Sequence, residues 1–104
     1  MNLVEAARKG AEMVDGINRD GNYLSVADES VLACAVGAAY VAATGETNTE
    51  QASYWLRGLL GTNNDLARAV YCVTEYNDEQ AKDLTDAIDH LEHNYPELAQ
   101  LPVM

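Results

Sequence analysis

Val31-Leu32-Ala33-Cys34-Ala35-Val36-Gly37-Ala38-Ala39-Tyr40-Val41-Ala42-Ala43 is the longest uncharged apolar run in the chain, thirteen residues. A membrane-spanning helix needs about 20 such residues, so the run reads as a buried core helix. Its spacing predicts a helix over 30–44, with Ser30 as N-cap and Gly45 as the closing residue. Small side chains (Ala33, Ala35, Gly37, Ala38, Ala39, Ala42, Ala43) fall on every face, with Leu32, Val36, Tyr40 and Val41 between them. A helix that is apolar all round is buried on several sides. Small residues also let neighbouring backbones come close, which places this helix at the centre of the domain.

Outward from that run, the remaining segments are amphipathic. Leu3, Val4, Ala7, Ala11 and Val14 form a helical stripe over Asn2–Asp15, opened by an Asn2/Glu5 capping box and ended by Gly16. Residues 18–29 read as a turn, because Asn18, Asp20, Gly21 and Asn22 favour local side-chain bonding or left-handed backbone. Tyr23–Ala27 alternates weakly, as a short extended segment that does not by itself imply a sheet. Thr47 and Glu50 form a capping box for a third helix reaching Leu60, with Ala52, Trp55, Leu56, Leu59 and Leu60 on one face. Asn63 or Asn64 caps a fourth helix carrying Leu66, Ala69, Val70 and Val73. Asn77 with Gln80 is a capping-box candidate for a fifth, whose stripe is Ala81, Leu84, Ala87, Ile88 and Leu91. Pro96 ends or kinks it, and Leu98–Met104 reads as a loosely packed tail. The expected architecture is all-α: one compact domain over 1–104, with four to five helices around the Ala-rich one.

The chain has 104 residues, 48% hydrophobic and 22% charged, enough for one core. Its net charge is −11, from 17 acids against six Lys and Arg. That sign argues against direct nucleic-acid binding, whose footprint is basic. Residues 75–97 hold eight acids (Glu75, Asp78, Glu79, Asp83, Asp86, Asp89, Glu92, Glu97) against Lys82 alone, a balance of −7. Glu75, Asp78, Glu79, Asp83, Asp86, Asp89 and Glu92 spread over the outward arc of the last helix and repel one another at helical spacing. A basic protein surface would relieve that repulsion, so these seven are the candidate partner-binding residues. The alternatives are simple solubility or a salt-rich habitat. Met1–Gly10 carries Glu5, Arg8 and Lys9 with no apolar h-region after them, and no lipidation motif occurs. The expectation is a soluble cytoplasmic protein with no membrane partner.

Few residues fit catalytic patterns. Ser25, Ser30 and Ser53 lie in no nucleophile elbow, and the seven glycines form no phosphate cradle. Cys34 and Cys72 sit among apolar neighbours and read as inert core thiols, with a disulfide between them disfavoured in a reducing compartment. Tyr54–Trp55 is either a stacking platform or a split pair, with Trp turned to the core and Tyr to the rim. Asp86, Asp89, His90 and His93 line one stripe of the last helix, and imidazole with carboxylate on adjacent turns suits Zn²⁺ or a similar ion. That stripe is expected to face solvent unless a second subunit covers it. No cofactor is expected.

Two segments together resemble a family of small bacterial and phage proteins, a domain of unknown function. Ala33-Cys34-Ala35-Val36-Gly37-Ala38-Ala39 resembles its Cys-Ala-x-Gly-Ala helix. Val73-Thr74-Glu75-Tyr76-Asn77-Asp78 resembles the aromatic-Asn-Asp junction before its last helix. The likeness covers about half the chain, and the loop after Asn77-Asp78 is shorter here. It implies a helical fold and an accessory-gene origin, phage or mobile-element, and carries over no catalytic residue. The functional expectation is therefore a non-enzymatic accessory or interaction protein with an acidic C-terminal helix, for which a homo-oligomer is one expected state. The alternative is a small metal- or ligand-binding protein or enzyme using Asp86, Asp89, His90 and His93.

Overall fold

The computed structural model describes residues 1–103. Helix α1 (Leu3–Ala11) opens on the expected capping box: Glu5 N donates to Asn2 Oδ1 at 2.9 Å and Asn2 N to Glu5 Oε1 at 3.0 Å. It stops short of the predicted Asp15. Three short strands follow: β1 (Gly16–Ile17), β2 (Leu24–Ala27) and β3 (Ser30–Ala33). They form a sheet in the order β1-β3-β2, with β1 parallel and β2 antiparallel to β3. The protein is thus mostly helical but not all-α.

The correction falls inside the decisive run. Ser30–Ala33 is a strand, not the first turn of a helix, and Ser30 is not a cap. A short buried strand and a buried helical turn are both continuous apolar stretches, and periodicity does not separate them. What separates them here is pairing: Leu24 lies opposite Ala33 and Val26 opposite Val31. Asp15 adds a clamp, since Val31 N donates to its Oδ2 at 2.7 Å and Asp15 N to the Val31 carbonyl.

Helix α2 (Ala35–Thr44) starts at Cys34, whose Sγ accepts the Gly37 N–H at 3.5 Å, and closes at Gly45 with φ 74°. Helix α3 (Thr49–Leu60) is capped by Asn48 rather than Thr47. Helix α4 (Asn64–Glu79) is capped by Asn63 and runs through Asn77. Asn77 is therefore no cap; α5 (Leu84–Asn94) begins at Asp83, which accepts the Asp86 N–H at 2.8 Å. Pro96 opens a further short helix, α6 (Pro96–Ala99), because proline fits a first helical position.

Ala35 through Val41 are all buried, so α2 is the central element. It presses on α1 so closely that a Cβ at Gly10 would collide with the Ala38 carbonyl. On another face, a Cβ at Gly37 would collide with the carbonyl of Tyr23. Leu84, Ala87, Ile88 and Leu91 of α5 join the same core as Leu3, Ala6 and Ala7 of α1. Each fully buried Leu or Ile contributes about 2 kcal/mol.

Residues 98–103 are anchored rather than loose. Leu98 and Ala99 are buried, Leu3 N donates to the Leu101 carbonyl at 2.8 Å, and Val103 N donates to the Met1 carbonyl at 3.0 Å. Residue 104 of the predicted tail lies outside the described residues. Among the described residues, no helix is long and apolar enough to cross a membrane.

Candidate docking face

The acids of the last quarter do not form one surface. Two flank α1: Arg8 Nη2 donates to Asp89 Oδ1 at 2.8 Å and to Glu92 Oε1 at 3.0 Å. The Asp89 bond holds the Arg8 guanidinium more firmly protonated than usual, against a smaller opposing effect of burial. Two more serve the start of α5. Asp83 is its N-cap. Asp86 Oδ2 accepts the Lys82 backbone N–H at 2.9 Å and the Tyr76 hydroxyl at 3.1 Å. Those bonds, the Lys82 N–H first, hold the Asp86 carboxyl below the ordinary aspartate range. Burial, then the Asp86 bond, raises the Tyr76 phenol in turn.

Of the other four, Glu97 lies apart on α6, and Glu75, Asp78 and Glu79 line a groove of about 530 Å³ between α4 and the loop before β2. Gly21, Tyr23, Ala67, Val70, Tyr71 and Thr74 complete its walls. Tyr71 is 69% exposed, the most open of the large apolar-bodied side chains among the described residues. The phenol of half-buried Tyr23 is raised by desolvation. Among the described residues, none of the three carboxylates has a basic ion-pair partner.

Buried amides hold the loop that carries Gly21 and Tyr23 against the end of α4. Asn18 donates through Nδ2 to Asp20 Oδ1 at 2.7 Å and to the Asn22 carbonyl at 2.9 Å, which folds the 18–22 loop on itself. The Asn22 backbone N–H, then the Asn18 amide, hold the Asp20 carboxyl low. Asn77 is fully buried and donates to the Asn18 carbonyl at 2.7 Å and to Asp78 Oδ1 at 3.1 Å. Its own Oδ1 has no partner. Arg19 ties the same loop to the end of α4, donating to the Asn77 carbonyl at 3.0 Å and the Lys82 carbonyl at 3.2 Å. The groove is therefore a rigidly mounted edge of the core.

The four candidate metal ligands are divided between the flanks of α5. Asp86 turns to Tyr76 and Asp89 to Arg8. His90 lies flat on Tyr76, centroids 3.7 Å apart at 4°, and Tyr95 meets it edge-on at 5.8 Å. The Asn94 amide lies 3.0 Å from His90 Nδ1, and His93 is exposed. Among the described residues, no three His, Cys, Asp or Glu side chains converge as a metal site.

The two thiols differ. Cys34 is completely buried and pushed up to about 11 by desolvation. Cys72 is only half-buried, so it is less of a core residue than its neighbours suggest. It lines a pocket of about 320 Å³ with Glu75, Tyr76, Gln80, His90 and Tyr95. Interaction with its thiol is the main cause of a raised Tyr95 phenol. Tyr54 and Trp55 split as a rim residue and a half-buried one, yet both border a separate trough with Tyr40.

Sequence reasoning found Glu75, Asp78 and Glu79 but missed Tyr23, Tyr71 and the Asn18–Asn77 pair that mounts them. Tyr71 stands one helical turn before Glu75, a signal that was present. No family model, curated protein or solved structure matches the chain.

Proposed function

We propose that the protein is a non-enzymatic accessory module that docks a basic segment of a partner protein in the groove along α4. The observation that supports this reading is the trio Glu75, Asp78 and Glu79, without basic partners, beside the exposed ring of Tyr71. A Lys or Arg side chain laid here places its charge among three carboxylates and over an aromatic face, worth about 1 kcal/mol for the ring alone. Its methylene stem runs along Ala67 and Val70. Asp89 and Glu92 stay with Arg8 and take no part.

The test is a fluorescence-anisotropy titration with a Lys- and Arg-containing peptide and a neutral counterpart. Saturable, salt-sensitive binding of the basic peptide is expected. The double variant Glu75→Lys/Glu79→Lys should abolish it, and Asp89→Lys/Glu92→Lys should leave it nearly intact. Equal loss in both variants would reduce the acidity to a diffuse field, and the docking reading would fall.

A further inference from the structure

At the C-terminal end of α2, the segment joining α2 to α3 frames a second open trough of about 530 Å³. Its walls are Tyr40, Tyr54 and Trp55, and its rim carries Glu46, Asn48 and Gln51. It shares no lining residue with the acidic groove. Tyr40 is the one aromatic residue of the Ala-rich helix and only 3% exposed, yet it borders this trough. A tyrosine body in the core with its hydroxyl at a wet edge is an amphipathic placement.

Trp55 is held edge-on to Tyr40, with centroids 5.6 Å apart and planes inclined at 66°. Tyr54 is 55% exposed, with the Arg57 guanidinium 5.8 Å over its ring. The rim supplies both donors and acceptors. Asn48 Oδ1 already accepts the Gln51 N–H at 3.0 Å, which leaves its amide hydrogens, the Gln51 side chain and the Glu46 carboxylate for a ligand. Small-ligand sites combine apolar and aromatic walls with a few polar groups of this kind.

We infer that this trough binds a neutral saccharide ring. A sugar offers C–H bonds on one face and hydroxyls around its edge, which matches an aromatic wall with a carboxylate-and-carboxamide rim. Glu46 and the chain's net charge of −11 oppose phosphorylated or carboxylated ligands. The planes of Tyr40 and Trp55 are inclined at 66° and the Tyr40 ring is buried, so the trough offers no parallel slot for a flat base, while a puckered ring can rest on the exposed side of Trp55 and Tyr54.

Trp55 is the sole tryptophan, so its emission reports occupancy directly. The experiment titrates the protein with glucose, galactose, mannose, N-acetylglucosamine and their short oligomers to about 10 mM, an affinity range open to weak sugar sites. Adenosine and uridine form the comparison arm. A saturable change with at least one sugar is expected, weakened about fivefold by Tyr54→Ala and by Gln51→Ala. Both positions are exposed, so the thermal midpoint should hold in each variant. Glu75→Lys/Glu79→Lys should leave sugar binding unchanged, which separates this site from the acidic groove. No saturable change with any sugar, saturation by nucleosides alone, or a change that both variants leave intact would each overturn the assignment.

Discussion

Where α1 crosses α2, Gly10 lies against the Ala38 carbonyl, and on another face of α2 Gly37 lies against that of Tyr23. Where α4 runs beside α5, Tyr76 lies flat on His90 and hydrogen-bonds Asp86. The first contact works by removing atoms: small side chains bring main chains together and no titratable group intervenes. The second works by large polar side chains that satisfy one another and leave open pockets beside them. Rigid packing on one side frees the other to carry charge and aromatic surface without collapsing. A helix with Ala and Gly on every face stabilises the domain, and the helices farther along the chain present its chemistry.

Gly10→Ala is the hardest blow to that contrast. The added methyl meets main chain, which cannot rotate aside, so urea unfolding should show a loss of about 3 kcal/mol or more. Gly58→Ala makes the same chemical change in α3, where a Cβ meets nothing, and should stabilise by up to about 1 kcal/mol. Equal effects at the two positions would mean that the α1–α2 seam is not tight.

Asn77→Ala probes the polar side. It strips the Asn18 carbonyl of its amide donor, at a cost of about 2 kcal/mol. The same change should weaken binding of the basic peptide, because the 18–22 loop is mounted on that bond. A stable variant with unchanged peptide affinity would show that the groove needs no such mounting.

The smallest effect expected is at Asp86. Its carboxyl is held low in the folded protein, so its contribution is complete above the ordinary aspartate value of 3.8 and is lost as pH falls through the lower folded value. Asp86→Asn should therefore be less stable than the parent near neutrality, and the gap should close in acid. A gap independent of pH would remove Asp86 from the charge-dependent part of the fold.

Much of this arrangement was legible beforehand. The Asn2/Glu5 box and the stripe Leu84, Ala87, Ile88, Leu91 are local patterns that the structure places as expected, and of the two cap candidates Asn63 and Asn64 it selects Asn63. The burial of Ala35–Val41 followed from the same logic. The sheet was not legible, because the three strand residues of the apolar run, Val31–Ala33, differ from a helical turn only through partners distant in sequence. Asn77 was misread for a related reason. An Asn three residues before a Gln looks like a cap, but its amide is claimed by Asn18, fifty-nine positions away in sequence. The acidic surface was half legible: sequence counts carboxylates but does not show that Arg8 of α1 reaches Asp89 and Glu92 of α5 at the surface.

The stitching of residues 1–3 to residues 101–103 has an architectural consequence. Met1 pairs with Val103, Leu3 with Leu101, and Asn2 bridges Pro102, so the backbone closes almost into a ring. A short linker across that gap would free the exposed turn at Gly61–Asn63 to serve as new termini. Such a circular permutant would keep every core contact and change only the order in which the helices are joined.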